Sequence, residues 1–134
     1  MITNSILNKY GFHDTEINKI EFMENSIVLY FVKGIYILDN GKETLKTNQC
    51  VMKLGVNNSD EIFQNIEITA IRRKKIKEID LNELINMVRS DVFNVNNLFM
   101  SNFNQTILIC GFSGKNEIYI TISCIKECSI DVMK

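Results

Sequence analysis

The chain has 134 residues with a formal net charge of -1, and 46% of them are hydrophobic. This length suffices for one domain with its own hydrophobic core, and the apolar content excludes intrinsic disorder. A dedicated nucleic-acid-binding protein needs an excess of Lys and Arg on one face, which 15 basic against 16 acidic residues do not supply. We therefore expect a single domain over residues 1–134 that does not bind nucleic acid.

The first part of the chain predicts a short helix or irregular cap followed by strands. Thr3–Tyr10 carries apolar residues at helical spacing and ends before a glycine. Glu16–Met23 is typical of a strand with a bulge, because Ile17 is one residue out of phase with Ile20. Ser26–Val32 is apolar on both faces, which indicates a central strand that is covered on both sides.

The middle of the chain predicts a hairpin, a further strand and a helix. Asn40-Gly41 is the strongest short hairpin signal in the sequence, and it leads into a return strand at Thr44–Leu54. Ile62–Arg73 follows as a strand with one buried face. Residues 81–90 carry apolar side chains at helical spacing after Asp80, a candidate N-cap, and they predict an amphipathic helix.

The last third of the chain predicts more strands. Thr106–Phe112 is apolar on both faces, and Glu117–Ile125 alternates between apolar and polar residues. Because the chain contains no proline, nothing interrupts a ladder hydrogen bond, and the turns fall on Asn, Asp, Ser and Gly. Short turns between sequential strands favour antiparallel pairing, since parallel strands need long crossovers. We therefore predict an α+β fold: a mainly antiparallel, strongly curved sheet or open half-barrel of about seven strands, with the helix at about 81–90 packed on it.

The sequence shows no segment that would place the chain in or across a membrane. The longest apolar stretch, Ile27–Leu38, falls short of the roughly 18 residues that span a bilayer. The first residues carry neither the basic segment nor the apolar run of a secretory signal. We expect a cytoplasmic protein with no membrane contact.

A cytoplasmic location bears on the cysteines, because thiols stay reduced there. We expect buried free thiols rather than disulfides at Cys50, Cys110, Cys124 and Cys128. Their spacing does not suggest a zinc site, and the single histidine lies far away in sequence. No metal and no cofactor is expected.

His13 and Asp14 form the one place where acid–base chemistry could start. A histidine beside a carboxylate can have a pKa near neutrality. Neighbouring residues on a strand point to opposite faces, however, and such a pair before a strand often satisfies backbone groups. No nucleophile, phosphate-loop or dinucleotide motif accompanies it, so we assign no catalytic residue. We take His13, Asp14 and Glu16 as candidate binding residues.

Arg72–Lys77 is the one run of basic residues. On an extended strand its alternate members would project to opposite faces, which dilutes any patch, and it has no interleaved aromatic residues for base stacking. The run predicts a solvated sheet edge or a connection into the helix, where positive charge blocks edge-to-edge pairing. Contact with an acidic partner is the alternative interpretation.

Phe12–Phe22, followed by Ser26–Phe31, places a hydrophobic–His–Asp sequence ahead of an antiparallel meander. In this respect residues 1–40 resemble small single-domain bacterial proteins, including immunity proteins of polymorphic toxin systems. The resemblance implies an α+β domain that neutralises a toxin by binding it, without catalytic residues of its own.

Three hypotheses about function follow. The first is a non-enzymatic protein-binding domain, an immunity-type inhibitor whose exposed Glu and Asp residues contact a toxin surface that is basic or contains a charged active site. The second is a small-molecule or lipid-binding, barrel-like protein whose doubly apolar strands surround a pocket. The third is an enzyme that uses His13 and Asp14. A homodimer through an unpaired edge strand is a further expected contact.

Overall fold

The computed structural model describes residues 8–56, 65–101 and 105–133. Within these ranges the chain forms thirteen strands and one helix. The strands are β1 (Tyr10–Gly11), β2 (Thr15–Ile17), β3 (Lys19–Met23), β4 (Ser26–Phe31), β5 (Tyr36–Asp39), β6 (Lys42–Lys46), β7 (Cys50–Gly55), β8 (Ile66–Arg72), β9 (Lys75–Ile79), β10 (Phe93–Ser101), β11 (Thr106–Ser113), β12 (Asn116–Ile122) and β13 (Glu127–Val132), and the helix is α1 (Leu81–Ser90).

The strands form three sheets in which every pair of neighbours is antiparallel. The six-stranded sheet has the order β2-β10-β11-β12-β8-β9, the four-stranded sheet β13-β7-β4-β3, and the three-stranded sheet β1-β5-β6. The predicted mainly antiparallel α+β character is confirmed. The prediction of one curved sheet of about seven strands is not, because the strands are divided among three sheets that are not closed barrels.

The bulge predicted in the first long strand is where the chain changes sheet. Ile17 and Ile20 are both buried although they are out of phase, because Asn18 separates β2 from β3. The Asn18 N–H donates to the Tyr30 carbonyl at 2.8 Å, and its side-chain oxygen accepts from the Val32 N–H at 2.9 Å. β2 therefore pairs with β10 in the six-stranded sheet, while β3 pairs with β4 in the four-stranded sheet.

β4 and β11 were both predicted to be buried on both faces, and only β4 is. β4 lies between β3 and β7, and Ile27, Val28, Leu29 and Phe31 are at most 5% exposed. In β11 the inner residues are buried, whereas Leu108 and Cys110 are partly exposed and Phe112 is 42% exposed. One face of the six-stranded sheet thus packs on the core and the other meets solvent, as antiparallel sheets commonly do.

The hairpin at Asn40-Gly41 is confirmed, but its return strand is shorter than predicted. Both turn residues have positive φ, 52° and 79°, and they connect β5 to β6. The predicted strand Thr44–Leu54 is interrupted after Lys46, and its second part is β7 in a different sheet. At the interruption the Thr47 hydroxyl accepts a hydrogen bond from the Ile35 N–H at 3.0 Å, which ties the chain to the segment before β5.

The helix matches its predicted bounds. The Asp80 side chain accepts from the Glu83 N–H at 2.8 Å, so this N-cap is as expected. Leu81, Leu84 and Val88 are buried, and α1 packs on β3 and β8, which belong to different sheets. The helix therefore bridges the two larger sheets.

Other predicted elements differ at their ends. In the predicted helix or cap Thr3–Tyr10, residues 3–7 lie outside the described residues, and Tyr10 begins β1. Ile62 also lies outside them, and the strand predicted from it is β8 at Ile66–Arg72. No helix in the described ranges is both long enough and apolar enough to cross a membrane.

Leu84→Asp should undock α1, because it places an unpaired carboxylate at a position that is 1% exposed. The free energy of unfolding is expected to fall by about 4 kcal/mol, which chemical denaturation measures. Asn82→Asp introduces the same residue at an exposed position of the same helix and should cost less than about 1 kcal/mol. Equal losses in the two variants would contradict this packing of the helix.

Candidate functional site

His13 and Asp14 lie in a tight turn rather than on a strand. The Thr15 N–H and hydroxyl both donate to the Phe12 carbonyl, at 3.2 and 2.6 Å, and Asp14 has a φ of 59°. In this turn the two side chains meet: His13 Nε2 lies 3.3 Å from Asp14 Oδ2. The expectation that neighbouring side chains diverge is therefore wrong here, since it holds only for extended backbone.

The turn docks on a bulge of β10. Pairing of β10 with β11 shifts between Val95 and Asn97, which leaves an extra residue at Asn96. The Asp14 N–H donates to the Val95 carbonyl at 2.8 Å, and His13 Nδ1 donates to the Asn96 carbonyl at 2.5 Å. His13 thus satisfies a backbone carbonyl at the bulge, in the way that the structural interpretation of the sequence expects.

The hydrogen bond to the Asn96 carbonyl, and then the negative charges of Asp14 and Glu43, hold the pKa of His13 above its ordinary value of 6.5. The ring remains accessible, with 58% of its side chain exposed. His13 therefore stabilises the folded state below about pH 6.5, and this contribution is lost as the pH rises through the raised pKa.

Glu16 is separated from this pair. Thr15, which is buried, lies between them, and Glu16 pairs with Asn94 across the β2–β10 ladder. Glu16 Oε1 lies 3.3 Å from the Lys33 ammonium group. Of the predicted binding residues, the structure brings His13 and Asp14 together and places Glu16 on the solvent-facing side of the six-stranded sheet.

We call that side the outer face. Strand register places side chains on it from every strand, because residues paired in an antiparallel ladder share a face. Its large apolar members include Phe99 (53% exposed), Phe112 (42%) and Ile76 (73%), with the partly exposed Leu108 and Ile71 between them. These residues lie in two rows: Phe112, Glu117, Ile71 and Ile76 are paired in succession across four strands, and the pair Phe99↔Leu108 lies four residues away along β11.

The outer face is also acidic. Register places on it the carboxylates of Glu16, Glu67, Glu78 and Glu117. None of the strand positions described on this face is Lys or Arg, so its charge is negative apart from Lys33 at the Glu16 edge. Sequence analysis missed this surface because its acidic residues are scattered along the chain and converge only through register.

The Glu117 carboxylate on this face accepts a hydrogen bond from a tyrosine of the same strand. The Tyr119 hydroxyl donates to Glu117 Oε1, two residues before it on β12. This bond, with the partial burial of the phenol, raises the pKa of Tyr119 above its ordinary value of 10.0. Tyr119 is therefore a neutral donor that fixes the position of the Glu117 carboxylate.

The basic run Arg72–Lys77 forms the hairpin between β8 and β9 at one edge of the same sheet. Arg73 and Lys74, with φ of 53° and 66°, make the two-residue turn between β8 and β9. In the resulting register Arg72 pairs with Lys75 and Ala70 pairs with Lys77. Arg72, Lys75 and Lys77 therefore lie on the side of the sheet opposite the outer face, which we call the inner face. The expectation that alternation along the strand dilutes the basic patch is wrong.

A cleft of about 490 Å³ opens at this end of the inner face, and we call it the basic cleft. Arg72, Arg73, Lys75 and Lys77 line it, together with Asn116 of β12. Ala70, Ile79 and the α1 residue Met87 give it an apolar part. Among the described residues, Glu83 of α1 is the one carboxylate in its lining, and its Oε2 lies 3.7 Å from the Lys77 ammonium group.

The cysteines are free thiols in different surroundings. Cys50 and Cys128 are buried, Cys110 is partly buried and Cys124 is exposed, so the expectation of burial is wrong for Cys124. Burial raises the pKa of the Cys50 and Cys128 thiols to about 11. Among the residues that the structure describes, no three His, Cys, Asp or Glu side chains are grouped as a metal site would require.

Comparison of the chain with profiles of known protein families, with curated proteins and with solved structures gave no match.

The titration of His13 tests the turn. Because this is the only histidine in the chain, its proton NMR signals are unambiguous, and their midpoint should lie above pH 6.5. Asp14→Asn should lower the midpoint only in part, since the hydrogen bond to the Asn96 carbonyl is the larger cause and remains. A midpoint at or below 6.5 in the unchanged protein would contradict the docked position of the ring.

Thiol reactivity tests the burial of the cysteines. In the folded protein at pH 8 an aromatic disulfide reagent should modify Cys124 first and leave Cys50 and Cys128 unmodified until the chain unfolds. Cys124→Ser should remove the fast phase, whereas Cys128→Ser should retain it. Rapid modification of Cys50 or Cys128 without denaturant would show that the four-stranded sheet is more open than described.

Proposed function

We propose that this protein is a non-enzymatic binding domain that acts by contact with another protein, and that the outer face is its contact surface. The observation that carries the proposal is the combination of exposed Phe99, Phe112 and Ile76 with the acidic residues between and around them. Exposed apolar patches rimmed by polar residues mark interaction sites, and large apolar side chains supply most of the binding energy there.

The dimensions of the outer face suit such a contact. Six strands about 4.8 Å apart extend about 24 Å across the sheet, and the seven residues of β12 extend about 20 Å along it. The flat area of the face is therefore on the order of 500 Å². Protruding side chains add to this area. A partner in a standard protein–protein interface buries about 800 Å².

The charge of the outer face indicates the kind of partner. Glu67 and Glu78 are exposed, and Glu16 and Glu117 are partly exposed, so a surface with Lys or Arg around an apolar centre would complement it. A basic partner is what the resemblance to immunity proteins implies. Our proposal is therefore an immunity-type inhibitor of a bacterial toxin.

We do not adopt the enzyme hypothesis or the barrel hypothesis. An enzyme built on His13 and Asp14 is not our proposal, because His13 Nδ1 is already engaged by the Asn96 carbonyl. A barrel around an apolar pocket is not our proposal either, because the sheets are not closed barrels and the doubly apolar β4 contributes its residues to the hydrophobic core. A homodimer through an edge strand would be a second contact. β9 is a poor edge for it, since the ammonium groups of Lys75 and Lys77 oppose pairing with another strand.

The test uses the protein encoded by the gene adjacent to this one. The unchanged chain should bind it, and the double variant Phe99→Ser/Phe112→Ser should bind at least about tenfold more weakly, because it removes both aromatic anchors. Isothermal titration calorimetry gives both dissociation constants.

Leu45→Ser is the matched control, since Leu45 is 70% exposed on β6 of a different sheet. It should leave the affinity unchanged. Absence of binding by the unchanged chain, or equal weakening by Leu45→Ser, would overturn the proposal. Sedimentation of the protein alone separates binding by a second copy from binding by the partner.

A further inference from the structure

The residues that line the basic cleft carry more positive than negative charge. Arg72, Arg73, Lys75 and Lys77 line it, and the Glu83 carboxylate lies 3.7 Å from the Lys77 ammonium group. Each of these side chains is exposed, and four basic groups beside one carboxylate make the local potential positive.

The arrangement within the hairpin opposes folding in the absence of a counter-ion. Arg72 and Lys75 are directly paired across the β8–β9 ladder, and like charges in that position destabilise a sheet. A bound anion would remove this repulsion, since guanidinium and ammonium groups donate strong hydrogen bonds to phosphate and carboxylate oxygens.

The other residues that line the cleft indicate that its ligand is larger than a simple inorganic anion. Ala70, Ile79 and Met87 present apolar surface beside the cations, and the Asn116 side chain adds an amide that can both donate and accept. The volume of about 490 Å³ falls within the usual range of small-molecule sites, which is roughly 300–1,000 Å³. Sites of this kind combine an apolar wall with a few polar groups that fix orientation.

We propose that the basic cleft between the β8–β9 hairpin and α1 binds a small molecule that carries phosphate groups on an apolar body. Arg72, Lys75 and Lys77 hold the phosphate oxygens, Arg73 closes the open end at the turn, and the body lies against Ala70, Ile79 and Met87. The site lies on the opposite side of the sheet from the outer face, so it is independent of the protein contact proposed above.

Calorimetric titrations with ADP, pyrophosphate and adenosine test the proposal. Pyrophosphate probes the cations alone. Adenosine, which lacks phosphate, probes the remaining lining: the faces of its adenine ring can lie against the apolar residues, and its polar atoms can bond to Asn116. ADP should bind most tightly, pyrophosphate more weakly and adenosine weakest, and raising the salt concentration should weaken the first two.

Arg72→Gln/Lys75→Gln should weaken the binding of ADP by about tenfold or more for each cation removed. Lys42→Gln/Lys46→Gln removes the same charge from the exposed β6 and should leave the affinity within about twofold. Thermal unfolding separates a site from a damaged fold: without ligand, the Arg72/Lys75 variant should be at least as stable as the unchanged protein, because it removes the paired like charges.

Failure of both ADP and pyrophosphate to bind at millimolar concentration would overturn the proposal, and so would equal weakening by the two double variants. The cations would then act only to keep the β9 edge from pairing with other chains. Pyrophosphate binding as tightly as ADP would contradict the role given to Ala70, Ile79 and Met87. None of these results bears on the outer face, so failure here is distinguishable from failure of the proposed protein contact.

Discussion

At Asn18 the chain passes from β2, an edge strand of the six-stranded sheet, to β3, an edge strand of the four-stranded sheet. The Asn18 backbone stays in the ladder through the Tyr30 carbonyl, and its side chain replaces a missing ladder partner for the Val32 N–H. This local change allows both Ile17 and Ile20 to enter one core. The remaining architecture depends on it, because the six-stranded and four-stranded sheets must share one core for α1 to pack on β3 and β8 together.

The six-stranded sheet separates charge between its faces. Successive side chains of a strand alternate in direction, so one hairpin can supply opposite charges to opposite sides. In β9, Lys75 and Lys77 point to the basic cleft, whereas Ile76 and Glu78 belong to the outer face. The sheet thereby carries two surfaces of different chemistry, one acidic and partly apolar and the other basic.

The bulge of β10 has a comparable local role. Its extra residue presents the Asn96 carbonyl to the turn that carries His13, while the Val95 carbonyl receives the Asp14 N–H. The resulting hydrogen bonds fix the start of β2 and explain why His13 and Asp14 are adjacent in space. They also engage one nitrogen of the only histidine in a backbone contact.

Local patterns in the sequence predicted the elements whose causes are local. The N-cap at Asp80, the helix Leu81–Ser90 and the turn Asn40-Gly41 all follow from spacing within a few residues. The change of phase between Ile17 and Ile20 was visible too, but the single bulged strand predicted there is two strands in different sheets. The partition into three sheets did not follow, because an interruption such as that after Lys46 depends on contacts with distant backbone.

The candidate surfaces were less predictable still. The basic run was visible in the sequence, but its hairpin turn at Arg73 and Lys74 was not, since neither residue is a usual choice for positive φ. The outer face depends on register between five or more strands, so its scattered glutamates and phenylalanines carried no local signal.

The sequence by itself therefore determined an antiparallel α+β domain, the position of its helix and the existence of a basic segment, because each of these depends on periodicity or on adjacent residues. Only the tertiary structure decided which of those residues share a face. The register of β8 with β9 brought Arg72, Lys75 and Lys77 into one cleft, and the register of the six-stranded sheet gathered Phe99, Phe112 and the glutamates on its other side. A pairing register is fixed by burial and turn geometry across the whole fold, and a shift of one residue would exchange the two faces.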